Sequence, residues 1–102
     1  MLEKDVEAKL VRGVKALGGV CYKFVSPGTV GVPDRIAVFP GGEVCFIELK
    51  TEKGRTRPAQ DLQIAKLRAV GAAVVVLHGL DEVSEFLEMR RIRKIRKEAC
   101  GE

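Results

Sequence analysis

Residues 32–50 read VPDRIAVFPGGEVCFIELK. Within them, DRIAVF (34–39) and EVCFIELK (43–50) are rich in β-branched and aromatic residues. They flank Pro40-Gly41-Gly42, which predicts a β-hairpin. Asp34, Glu48 and Lys50 are conspicuous there, because strand interiors disfavour Asp and, more weakly, Glu and Lys. Ionised groups close to a core are costly unless something compensates them. Either the three side chains all face solvent, or they converge on something that needs them. Side chains two apart on a strand share a face, so Glu48 and Lys50 project together while Leu49 points toward the core. Antiparallel pairing about the turn brings Asp34 to the same end as Glu48 and Lys50. Two carboxylates and an ammonium at one sheet edge suit a hard divalent cation, with a backbone carbonyl as a further oxygen ligand. Such an ion activates water and polarises a phosphate, and a lysine can offset the charge that develops. An ExK tripeptide alone describes the solvent face of an edge strand equally well. The combination of Gly-Val-Pro-Asp, the hairpin, Ile-Glu-Leu-Lys and a following helix with Gln60 separates the two readings.

Working outward, Leu2, Val6, Leu10, Val14 and Leu17 recur at helical spacing and predict an amphipathic helix over 2–17, closed by Gly18-Gly19. VCYKFV (20–25) reads as a strand and SPGTVGVP (26–33) as a loop. TEKGRTRP (51–58) is a polar, basic loop. A helix follows over 59–70, with Leu62, Ile64, Ala65 and Leu67 apolar, and Gly71 ends it. AAVVVLH (72–78) has the nearly all-apolar character of a strand covered on both faces. Asp81 can cap a last helix over 82–97, with Val83, Phe86, Leu87 and Met89 toward the core. The order α-β-β-β-α-β-α predicts an α/β domain, a small mixed sheet with helices packed on it.

A chain of 102 residues, 46% hydrophobic and 31% charged, has the composition of one ordinary globular domain. No apolar run reaches membrane-spanning length, and MLEKDVEAK is too charged for a secretory signal, so a cytoplasmic protein is expected. Cys21, Cys45 and Cys100 are odd in number and widely spaced, which points to free thiols rather than a disulfide framework or a zinc site. The net charge of +4 is local: RRIRKIRK (90–97) holds six of the 18 Lys and Arg. Such a segment suggests an anionic partner, most simply a nucleic-acid backbone, with Ile92 and Ile95 packing on protein while the Arg and Lys face outward. His78 ends a buried strand and reads as structural.

Pro33-Asp34 followed by Glu48-Leu49-Lys50 resembles the PD-(D/E)xK nuclease signature. The wider pattern resembles the VRR-NUC family in its small stand-alone form from phages and bacteria. The matching stretches are EKDVEAKLV, GG, YKFVSPGTVGVPDRI and PGGEVCFIELK, then Gln60 and LRAVGAAVVVL, spanning residues 3–77 in order. The resemblance implies one nuclease domain over 1–102 with a restriction-endonuclease-like core and a basic C-terminal helix at about 82–97. It also implies Mg²⁺ or Mn²⁺ held by Asp34, Glu48 and the Leu49 carbonyl, with Lys50 as the catalytic lysine. A first-helix glutamate usually completes such a site. Glu3 and Glu7 compete, one turn apart on one face, and the spacing in more distant Holliday-junction resolvases favours Glu7. The glutamine expected on the helix after ExK is met better by Gln60 than by Gln63.

The same resemblance implies DNA contact around Lys23 and Ser26. Lys53, Arg55 and Arg57 form a basic loop that either meets phosphates or is simply solvated. Arg90, Arg91, Arg93 and Lys94 are the candidate DNA contacts of the last helix. The expected function is a metal-dependent, structure-selective DNA endonuclease in the cytoplasm of a bacterial or phage-infected cell. Stand-alone members of the family are associated with homodimers and four-way (Holliday) junction cleavage, whereas the multidomain Fanconi-associated relatives act on flaps as monomers. The alternatives are a non-catalytic nucleic-acid-binding protein on the same fold, and a flap or sequence-specific nuclease.

Overall fold

The computed structural model describes residues 2–101. The chain runs α1 (Glu3–Ala16), β1 (Val20–Lys23), β2 (Arg35–Phe39), β3 (Glu43–Lys50), α2 (Pro58–Ala69), β4 (Ala73–His78) and α3 (Gly79–Ala99). The four strands form one sheet in the order β1-β2-β3-β4. The first two pairings are antiparallel, and β3 with β4 is parallel because α2 provides the crossover. The hairpin turns at Gly41 and Gly42, both at positive φ (97° and 84°), where a side chain would be strained.

The helical spacing of α1 has its expected consequence: Val6, Leu10 and Val14 are fully buried. They meet Ala37 and Phe39 of β2, Cys45, Ile47 and Leu49 of β3, Leu77 of β4 and Val83 of α3 in one core. α1 and α3 therefore cover one face of the sheet. α2 lies on the opposite face beside β4, with Ile64 its one buried residue, and Arg68 donates to the Val74 carbonyl at 2.8 Å. Although β4 is an edge strand, it is covered on both sides, which explains its nearly unbroken apolar sequence.

Several expectations need correction. β1 stops at Lys23 rather than Val25, although Phe24 N–H still donates to the Asp34 carbonyl at 2.8 Å. Asp34 sits in a bend just before β2 rather than as the first residue of the strand. α3 begins at Gly79, directly after β4, so Asp81 lies in its first turn and is not its cap. Met89 is 66% exposed, and Leu62 of α2 is also exposed. The α3 face toward the sheet runs through Val83, Phe86, Leu87 and Arg90, and Met89 falls off that stripe. Cys21, Cys45 and Cys100 are free thiols, and burial pushes the Cys45 thiol up to about 11.

Candidate active site

The hairpin register explains how three distant residues meet. Arg35 pairs with Ile47 as the last rung between β2 and β3. One step further, Asp34 falls opposite Glu48, and its Oδ2 accepts the Leu49 N–H at 2.9 Å. Alternation sends Ile47 and Leu49 into the core and turns Glu48 and Lys50 to the α2 face. Pro33 is buried and fixes the approach of the chain to Asp34. Before it, Gly31 (φ 92°) passes so close to the first turn of α2 that a Cβ there would stand 2.4 Å from the Ala59 carbonyl oxygen. Only glycine allows the 26–33 loop and α2 to close over the end of β3.

Glu48, at this end of β3, is only 1% exposed. Its Oε2 accepts from Gln60 Nε2 at 2.9 Å and lies 3.1 Å from Lys50 Nζ. Gln60 is itself anchored, because its Oε1 accepts the Arg57 backbone N–H at 2.8 Å at the start of α2. Both partners of Glu48 therefore engage one oxygen. The other, Oε1, is buried with no hydrogen-bond partner. Burial holds the Glu48 carboxyl above the usual carboxylate range, the hydrogen bond from Lys50 opposes this, and the nearby Asp34 charge adds to it. An unpartnered buried oxygen costs about 1–3 kcal/mol. It is a donor atom already desolvated and aimed by its neighbours.

The donor set fits a hard cation in kind: Asp34, Glu48 and the Leu49 carbonyl offer only oxygen. It contains two carboxylates, and among the described residues no group of three or more His, Cys, Asp or Glu comes together. Glu7 is held elsewhere. Arg35 projects on the α1 face with its partner Ile47, opposite to Glu48, and its guanidinium ion-pairs with Glu7 there. Glu3 is exposed one turn earlier. The structure thus brings Asp34, Glu48, Lys50 and Gln60 together and leaves both helix glutamates outside the cluster.

Of the DNA-contact candidates, Lys23, Lys53, Arg55 and Arg57 are exposed at the end of the sheet that carries Glu48, and Ser26 is half-buried in the loop above it. The basic run on α3 is different. Arg90, with its side chain only 12% exposed, ion-pairs with Glu43 and lies over the Phe39 and Phe86 rings at 4.7 and 5.3 Å. Arg93 shares Glu43 at 2.6 Å, Arg91 pairs with Glu88 at 2.5 Å, and Lys94 donates to the Leu17 carbonyl. The expectation that these basic side chains all face outward fails for Arg90, because the core stripe of α3 continues through it. Glu43 is five residues from Glu48 along β3, about 17 Å. Arg35 stands directly after Asp34, and strand alternation turns it to the opposite face. His78 stands beside Lys50 in the β3–β4 register, its Nδ1 3.4 Å from Glu82.

A mixed sheet with α1 and α3 on one face, α2 on the other, and Asp34, Glu48 and Lys50 at one strand end defines a nuclease core of the restriction-endonuclease-like type. The chain is 43% identical over 79 residues to "Putative nuclease p44" of Acyrthosiphon pisum secondary endosymbiont phage 1, covering 78% of this chain and 85% of that protein. A solved structure titled "VRR_NUC domain" superimposes with a TM-score of 0.80 at 30% identity, over 84% of this chain and 94% of the other. A second, "VRR_NUC domain protein", shares the fold at a TM-score of 0.66 and 19% identity, over 86% of each. No family model matches the chain. The chain belongs to the VRR-NUC nucleases.

Proposed function

We propose that the protein is a Mg²⁺- or Mn²⁺-dependent DNA endonuclease that cuts four-way junctions as a homodimer. The observation that carries the metal-dependent reading is Glu48: wholly buried, fixed through one oxygen by Gln60 and Lys50, and unpartnered at the other. A structural carboxylate at this depth would be fully hydrogen-bonded. Asp34, Glu48 and the Leu49 carbonyl would hold the ion, with Glu7 as a further ligand only if it leaves Arg35. When bound, such an ion supplies a Lewis acid for the phosphate and makes water a stronger nucleophile at neutral pH. Gln60 orients Glu48 from a helix terminus, so the carboxylate needs little reorganisation. Lys50, partly open to solvent, supplies a positive charge that can pass from Glu48 to a phosphate oxygen as negative charge builds there.

The dimer and junction readings rest on other features. One chain carries one such site, and resolving a four-way junction takes two symmetry-related cuts, which a two-fold dimer supplies. Val20, Tyr22 and Val44 are exposed on the sheet face that α2 leaves open, and Met89 and Ile95 are exposed on α3. Labelled four-way junction, flap, nicked and linear duplexes, each with Mg²⁺ or EDTA, together with light scattering, test the reading. We expect a dimer that cuts junctions only with metal. Cutting in EDTA would overturn the metal assignment, and a monomer preferring flaps would overturn the dimer and junction assignments.

A further inference from the structure

The strongest unassigned feature near the site is on the α1 side of β2. A shallow cleft of about 350 Å³ is lined by Lys4, Glu7, Ala8, Val11, Arg12 and Arg35. Lys4, Ala8, Val11 and Arg12 follow helical spacing, so they share one stripe of α1. Lys9 marks the other side of the helix, where it donates to the Leu80 carbonyl at 3.2 Å and docks α1 on α3. The register places Lys23 beside Arg35, adding a fourth cation to this end of the sheet. The one carboxylate in the lining, Glu7, is already matched by Arg35. Lys4 and Arg12 are exposed and, among the described residues, form no ion pair. This contrasts with the basic run on α3, whose Arg90, Arg91 and Arg93 are matched by Glu43 and Glu88. Lys94, Arg96 and Lys97 of that run form no ion pair among the described residues, so half of it is compensated, against one of the four cations here.

We infer that this cleft is the track for the DNA strand adjoining the scissile phosphate, with Lys4, Arg12, Lys23 and Arg35 on its phosphates. The inference rests on the nuclease reading above. Arg35 follows Asp34 directly but stands on the opposite sheet face from Glu48, so a strand in the cleft would reach the site around the end of the sheet that carries Lys23. Lys4 and Arg12 are eight residues apart on α1, about 12 Å. Measured along the duplex axis, that length spans three to four phosphates of one strand, which rise about 3.4 Å each. A guanidinium has five N–H donors, so Arg35 can keep Glu7 and still meet a phosphate.

The test measures binding. Glu48→Gln provides a cut-blocked background, and fluorescence anisotropy follows a labelled 30-base-pair duplex and a four-way junction across a KCl series in EDTA. Adding Lys4→Gln and Arg12→Gln, both at exposed positions, should lower the log–log salt slope by about 1.8, or 0.9 for each lost phosphate contact. Lys23→Gln alone should lower it by about 0.9. Arg96→Gln with Lys97→Gln, at the far end of α3, should leave the slope unchanged. Circular dichroism confirms that each variant is folded. An unchanged slope in both the Lys4/Arg12 and Lys23 variants, while the wild type still cuts DNA, overturns the track and leaves the nuclease reading standing. A slope that falls only with the α3 pair also overturns it. A wild-type protein that neither binds nor cuts DNA overturns the nuclease reading itself.

Discussion

Glu48→Gln should abolish the stabilisation of this protein by divalent metal. In the metal-free fold, Glu48 Oε1 is buried and unpartnered, at a cost of about 1–3 kcal/mol. A cation that binds Asp34 and Glu48 in the folded state alone stabilises by RT ln(1 + [L]/Kd), about 2.7 kcal/mol at a hundredfold excess over Kd. For a domain of this size each kcal/mol moves Tm by about 4 °C, so saturating Mn²⁺ or Mg²⁺ should raise Tm by roughly 10 °C. Glu48→Gln keeps the shape and a hydrogen-bonding amide but loses the charge, and its shift should fall to within about 1 °C. The pH profile gives a second signature. Burial raises the Glu48 pKa in the folded state, so its contribution is fully present below the unfolded glutamate pKa and is lost as pH rises through the folded value. Metal-free wild type should therefore lose stability across that window, and Glu48→Gln should not. Thermal melts followed by circular dichroism, with EDTA or metal at several pH values, measure both effects. A metal-induced shift as large in Glu48→Gln as in the wild type would refute the reasoning, because the ion would then be bound elsewhere.

Other expectations follow from single contacts. Asp34→Ala and Lys50→Ala should abolish cutting while circular dichroism shows an intact fold. Of the helix glutamates, Glu7→Ala should slow cutting more than Glu3→Ala in single-turnover assays; the reverse order would remove Glu7 from consideration. Gly31→Ala should cost about 1–3 kcal/mol in denaturant unfolding, combining positive-φ strain with the clash against Ala59. Gly41→Ala, at a similar φ with nothing within 4 Å, should cost less, and the difference isolates the loop–helix contact. Glu43→Ala should destabilise by about 2 kcal/mol, below the usual loss for a fully buried pair because Glu43 is one-third exposed, and should leave cutting by the folded protein unchanged.

Local chemistry in the sequence determines the hairpin, the helix-forming face of α1 and the α/β class. A period of 2 or 3.6 residues and a Pro-Gly-Gly turn act over a few residues and need no distant partner. The candidate site was legible for the same reason. Antiparallel pairing about one short turn sets Asp34 across from Glu48, and alternation puts Lys50 on the same face. The family resemblance alone suggested Gln60, and the structure supplies its physical role as the link between the α2 terminus and Glu48. Tertiary structure alone decided how deeply Glu48 is buried and that Gly31 lets a loop pack against the start of α2, next to Gln60. It also decided which cations are free. Arg90 is drawn inward because the core stripe of α3 runs through it and Glu43 waits across the gap. Lys4 and Arg12 form no ion pair among the described residues, and the one carboxylate lining their cleft, Glu7, is taken by Arg35. Charge in a sequence is a count, whereas charge available to a ligand is what remains after through-space pairing, and pairing across 28 or 47 residues leaves no local trace.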